Sequence, residues 1–238
     1  MNFFDRDFDL SEALKKADEG DIHAIDAVLG YIIHEDDGEE DLQEIRKKYI
    51  LKLIDMESPI GYIMLAECYK DGDLFEKDTS KALELYQKAA EHGVGFGNEC
   101  IGEMYYYGDG VEKNYQRAFE FLTKNKKSKS PATDYILGEM YRLGQFVEKN
   151  DDTAEEHYIN IVRDDPGARD AYYGPAAFRL AEYYFSRGDD WIERAWIFIE
   201  EAKKHISPDS VVAKLVGITK NMVEDLWLEV FRKKELGE

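Results

Sequence analysis

Apolar residues along this chain recur at helical spacing, and the pattern itself recurs. Ile101, Met104, Tyr105 and Gly108 stand at i, i+3, i+4 and i+7, which gathers them on one face of a helix. Residues 101–114 (IGEMYYYGDGVEKN) agree with residues 137–150 (LGEMYRLGQFVEKN) at nine of fourteen positions, and with 65–78 (LAECYKDGDLFEKD) at six. A pair made of one apolar and one small residue carries the frame further: Leu29-Gly30, Leu65-Ala66, Ile101-Gly102, Leu137-Gly138, Leu180-Ala181 and Val216-Gly217. Each step is 36 residues except the fourth, which is 43, so seven residues are inserted within 163–174 (RDDPGARDAYYG).

Each period predicts two helices. Gly102 lies beside the apolar face of the first, where a missing side chain lets a neighbouring helix approach. Gly108 and Gly110 end that helix, because glycine accepts a positive φ at little cost. Asp78, Asn114 and Asn150 stand where the second helix needs an N-cap. That helix carries a small residue sixteen places after the small member of each pair, at Ala82, Ala118 and Ala154, with Ala195 at fourteen; Gly93 stops the helix that includes Ala82. Residues 9–19 read as a lone second helix that opens the array. Residues 208–235 start like a first helix and run on, long and amphipathic, as a closing cap with Trp227 and Phe231 covering the last exposed face. About twelve helices around one continuous core are expected, in a single all-α domain over 1–238. It divides into divergent repeats at 9–57, typical ones at 58–163, a divergent one with the insertion at 164–205, and the cap.

The stretch LGEMYRLGQFVEKN with its sister copy, and the KAAEHG ending at 88–93, resemble the Sel-one-like repeat (SLR) family, relatives of the tetratricopeptide repeats. The 36-residue step separates them from the 34-residue tetratricopeptide period. The resemblance is close over 58–163 and weak at 21–57, where Arg46 takes the place of the small residue. It implies a right-handed superhelical solenoid of about five repeats, first helices lining the concave surface, and a role as a protein-binding scaffold.

Charge narrows the partner. Lys and Arg total 31 against 51 Asp and Glu, a net charge of −20. So acidic a surface repels phosphate backbones and anionic lipids, which argues against nucleic acid and membrane and favours a basic partner. Two cysteines, Cys68 and Cys100, build neither a disulfide framework nor a zinc cage. The first ten residues (MNFFDRDFDL) lack a signal-peptide pattern and no stretch is long enough to span a bilayer, so a cytoplasmic protein is expected.

Patterns that carry chemistry are few. The sequence holds no GxSxG, HExxH or Walker-type GxxxxGK, and its five histidines are scattered. GVGFG (93–97) follows a helix where a dinucleotide loop must follow a strand, and reads as a helix stop. HEDDGEED (34–41) aligns Gly38 with the glycine of a calcium loop and Glu44 with its last ligand, but Ile33 then fills the first; it reads as a solvated loop. KNKKSKS (124–130) reads as a solvated helix C-terminus, with docking of an acidic segment as its functional alternative. Cys68 shares its repeat position with Met104 and Met140 and belongs to the core. No enzyme activity, cofactor, metal or small-molecule substrate is expected.

What remains is the face opposite Ile101. Glu99, Glu103, Tyr106 and Tyr107 fall there at 100° per residue, as do Glu67 and Lys70, then Tyr135, Glu139, Arg142 and Leu143, and finally Glu182 and Phe185. On a lone helix this stripe is solvated; in an array, curvature can bury its rings against adjacent repeats. If it stays open, carboxylates interleaved with aromatics suit a basic, partly apolar segment. The resemblance places that stripe on the concave side. The leading expectation is a non-enzymatic scaffold binding such a segment through these twelve residues. The alternative is an inhibitor or immunity protein that neutralises a basic toxin enzyme.

Overall fold

A computed structural model describes residues 9–35, 40–124, 130–164, 171–206 and 210–237. The centres of the acidic loop (36–39), the basic run (125–129) and the insertion (165–170) lie outside the described residues. Thirteen α-helices, and no strand, lie among them. They form two compact units, residues 1–113 and 114–238.

The first unit holds α1 (Leu10–Asp18), α2 (Ile22–Glu35), α3 (Glu40–Asp55), α4 (Pro59–Asp71), α5 (Thr79–Glu91) and α6 (Gly95–Tyr107). Its core gathers Ile25, Val28, Leu29 and Ile32 from α2, Tyr49, Ile50 and Leu53 from α3, and Leu65 and Cys68 from α4. Each helix packs on the next, as a chain of short connections dictates. Arg46, the departure from the small-residue rule, points its guanidinium to Asp73 at 2.6 Å and so ties α3 to the loop after α4.

The second unit holds α7 (Tyr115–Leu122), α8 (Pro131–Leu143), α9 (Asp151–Asp164), α10 (Tyr173–Ser186), α11 (Ile192–His205), α12 (Val211–Leu215) and α13 (Lys220–Phe231). Its core runs from Tyr135 and Tyr158 through Phe178 and Leu180 to Ile199, Val223 and Val230.

The local rules behave as read. The side-chain oxygens of Asp78, Asn114 and Asn150 accept the backbone N–H of Lys81, Arg117 and Thr153 at 2.9–3.0 Å. Gly72, Gly108 and Gly144 end α4, α6 and α8 at φ of 79°, 78° and 66°. Ala82, Ala118, Ala154 and Ala195 are buried on the second helices. Gly138 takes the Tyr158 ring so close that a Cβ would sit 2.6 Å from it. The closing segment differs from the single long helix expected: Gly217, at φ 75°, breaks it, and Thr219 caps α13 afresh by accepting the Met222 N–H. Trp227 and Phe231 still stack, 5.4 Å apart, with Trp196 beside them and the Lys203 ammonium 3.7 Å above the Trp227 ring.

Candidate partner-binding site

The twelve stripe residues meet two different surroundings. In the first unit, Glu67 and Lys70 lie one turn apart on α4, and α6 contributes Glu99, Glu103, Tyr106 and Tyr107. Desolvation pushes the Glu103 carboxyl up to about 7; the Lys70 ammonium opposes the rise and the Glu99 charge adds to it. Burial raises Glu67 as well, again against Lys70. Lys70 therefore acts on both carboxyls, and the three groups form one neighbourhood around the Cys100 thiol. Tyr106 and Tyr107 are half-buried and meet edge to face at 4.9 Å. Glu99 is buried, which corrects the solvated position read from its helical angle.

In the second unit the correction is larger. Tyr135 is 1% exposed, flanked by Tyr158 and Tyr172 at ring distances of 5.7 and 5.4 Å. Glu139, 6% exposed, lies at the centre of an ion network. Arg142 donates to it from Nε and Nη2 at 2.9 and 2.7 Å, Arg179 from Nε at 3.0 Å, and the Tyr158 hydroxyl at 2.6 Å. Burial alone would raise this carboxyl, yet the two guanidiniums and the hydroxyl outweigh it and hold it below the ordinary carboxylate range. Angles about one helix axis overlooked the neighbours: α8 has α9 on one flank and receives side chains of α10 on another. Glu182 reaches the same network by accepting from Arg179 Nη1 at 2.8 Å. Leu143 stays exposed, and Phe185 is half-buried with the Lys233 ammonium 5.6 Å from its ring.

Arg179 escaped the sequence reading. The signal was present: its repeat position holds Met64, Cys100 and Ile136 in the other copies, so a cation stands in an apolar slot. It is 8% exposed. It also lines a cleft of about 620 Å³ together with Arg142, the first turn of α9, Glu182 and Tyr183 of α10, and Arg187 at the C-cap of that helix. Arg187 pairs with Asp152, which also accepts from the Tyr183 hydroxyl at 2.6 Å.

Both cysteine thiols are buried and pushed up to about 12, so they stay protonated at neutral pH and are poor nucleophiles. His157 pairs with Asp134 at 2.7 Å and fastens α9 to α8. Among the described residues no group of His, Cys, Asp and Glu is placed to hold a metal ion, and no described helix is long and apolar enough to cross a membrane.

The Sel1 repeat family model matches residues 59–94, 101–124, 132–159 and 174–202. Among solved structures, a protective antigen of uropathogenic Escherichia coli strains displaying an SLR fold aligns over 95% of this chain at a TM-score of 0.66 and 16% identity. This chain covers 49% of that protein's length. A Sel1 repeat protein from Oxalobacter formigenes aligns over 91% of this chain and 88% of its own, at a TM-score of 0.60 and 23% identity. Identities this low speak for the fold alone, an all-helical repeat solenoid. No curated protein of known function matches significantly.

Proposed function

The chain belongs to the Sel1 repeat family, whose members commonly serve as scaffolds for protein–protein interaction, and from that premise we propose that it binds a basic protein segment and performs no catalysis. The docking stretch is Glu67, Lys70 and Glu103 with Tyr106 and Tyr107; Glu99, Tyr135 and Glu139 are committed to the interior. The observation that carries this reading is the Glu103 carboxyl at about 7, desolvated and crowded by Glu99. A lysine or arginine brought beside it would relieve both stresses, and the carboxyl would release a proton as it pairs. The two tyrosine rings offer apolar area for the stem of such a side chain and a face for its charge.

The test is a fluorescent lysine-rich peptide titrated into the full chain at low and moderate salt. Affinity is expected to fall with salt and to rise with pH through about 7. Glu67→Gln/Glu103→Gln should weaken binding and flatten the pH dependence. Glu84→Gln/Glu91→Gln, the same pair of substitutions at exposed positions of α5, should do neither. If both double variants behave alike, only the net charge attracts the peptide and the assigned stretch is wrong.

A further inference from the structure

We propose that the end of α10 and the start of α11 form an interaction surface for two successive basic residues of a protein partner, and that Lys233 and Lys234 of this chain occupy it until such a segment displaces them. The surface shares no residue with the docking stretch on α4 and α6, and stands if that reading fails.

Two seats of the same make carry the inference. Each combines a half-buried ring with an exposed carboxylate three or four residues away: Phe185 with Asp189, and Trp196 with Glu193. After α13 the chain makes a single turn of π-helix, Arg232–Leu236, which brings one ammonium to each seat. Lys233 Nζ lies 2.8 Å from Asp189 Oδ1 and 5.6 Å from the centre of the Phe185 ring. Lys234 Nζ lies 3.0 Å from Glu193 Oε2 and 4.9 Å from the centre of the Trp196 ring. The carboxylate satisfies the charge, while the ring attracts the cation and covers its stem.

The present occupant is held loosely. No residue of the turn is buried, and Leu236 is 59% exposed. The two carboxylates are 84% and 71% exposed, and ion pairs so placed contribute little. The core does not depend on the turn: the buried Val230 precedes it, and Trp196 keeps Trp227 and Phe231 as neighbours when the turn lifts. The surface left behind is acidic. Asp190 adds to Asp189, Arg187 is taken by Asp152, and Arg194 lies over the Trp191 and Tyr184 rings, 5.0 and 5.4 Å from their centres. Among the described residues no other cation pairs with Asp189 or Glu193. A partner with two successive lysines or arginines repeats the occupant's chemistry. The occupant's advantage is its tether, which gives it a high effective concentration.

The experiment follows the Trp196 indole N–H by NMR in the full chain while a blocked dilysine peptide is added. Blocked diglutamine, and sodium chloride at equal ionic strength, are the comparisons. Lys233→Gln/Lys234→Gln removes the tethered competitor and should tighten dilysine binding about tenfold. Asp189→Asn/Glu193→Gln added to that variant should abolish saturation. Lys15→Gln/Lys16→Gln, an equal change in net charge at exposed positions of α1, should leave affinity as in the parent. Glu67→Gln/Glu103→Gln should leave the Trp196 shift intact, so that failure of the docking stretch and failure of this surface read differently. Equal tightening by the two lysine double variants would reduce the effect to net charge and overturn the assignment. No tightening in Lys233→Gln/Lys234→Gln, or a shift that diglutamine or salt reproduces, would make the turn a cap and nothing more.

Discussion

Glu103 and Glu139 occupy the same place in successive repeats, 36 residues apart, and end on opposite sides of the ordinary carboxylate range. Both are withdrawn from water, so burial does not separate them. The difference lies in what the neighbouring positions supply. One turn after Glu139 comes Arg142, where Glu103 has Tyr106; the next repeat sends in Arg179, where the repeat after Glu103 has Ile136 in that slot; and α9 offers the Tyr158 hydroxyl, where α7 carries Leu122. One glutamate is thereby built into the interior and the other is left short of positive charge. A repeat can keep its frame and change its chemistry through three substitutions around one carboxylate.

The comparison breaks most visibly at Glu139. Glu139→Ala strands two guanidiniums and should cost about 3–5 kcal/mol in urea unfolding. Adding Arg179→Met, the residue type of Met64, should recover a substantial part of that loss. A single variant as stable as the parent would show that the network contributes nothing.

Glu103 should give the opposite sign in pH. Its folded pKa of about 7 lies above the unfolded carboxyl's 4.5, so the native state holds a proton that the unfolded chain has already released. Its contribution to stability is therefore lost as pH rises from about 4.5 through 7. Glu103→Gln removes the ionisation: the difference in melting temperature between variant and parent should grow in the variant's favour from pH 5 to pH 8. A difference that stays constant would place the carboxyl in water.

The smallest contrast lies in the two loops that follow these helices. Gly110 and Phe146 are equivalent positions, and both adopt the left-handed region, at φ 71° and 66°. A Cβ on Gly110 would sit 2.1 Å from Thr79 Oγ1, so Gly110→Ala should destabilise the chain. Phe146 is 53% exposed and its ring lies 5.8 Å from Phe119. Phe146→Gly relieves backbone strain at the cost of that contact and should stabilise by about 1 kcal/mol or less, read from the urea midpoint.

Period, helix pairs, caps at Asp78, Asn114 and Asn150, the stop at Gly108, and the buried alanines were all legible in the sequence. Each depends on residues close along the chain, or on a neighbour that arrives at a fixed offset. The helix break at Gly217 was overlooked although the same glycine signal marked it. The fate of the glutamate row was not legible. Whether a carboxylate on the far face meets water, Lys70, or Arg142 and Arg179 together depends on side chains delivered by another helix, 40 residues away in the case of Glu139 and Arg179. Helical angle and composition carry no information about that. The sequence by itself determined a helical repeat and its punctuation, because backbone propensities and periodic burial are local. Only the tertiary structure decided that Glu99, Tyr135 and Glu139 face inward and that Arg179 lines a cleft, because desolvation and ion pairing are settled where helices meet.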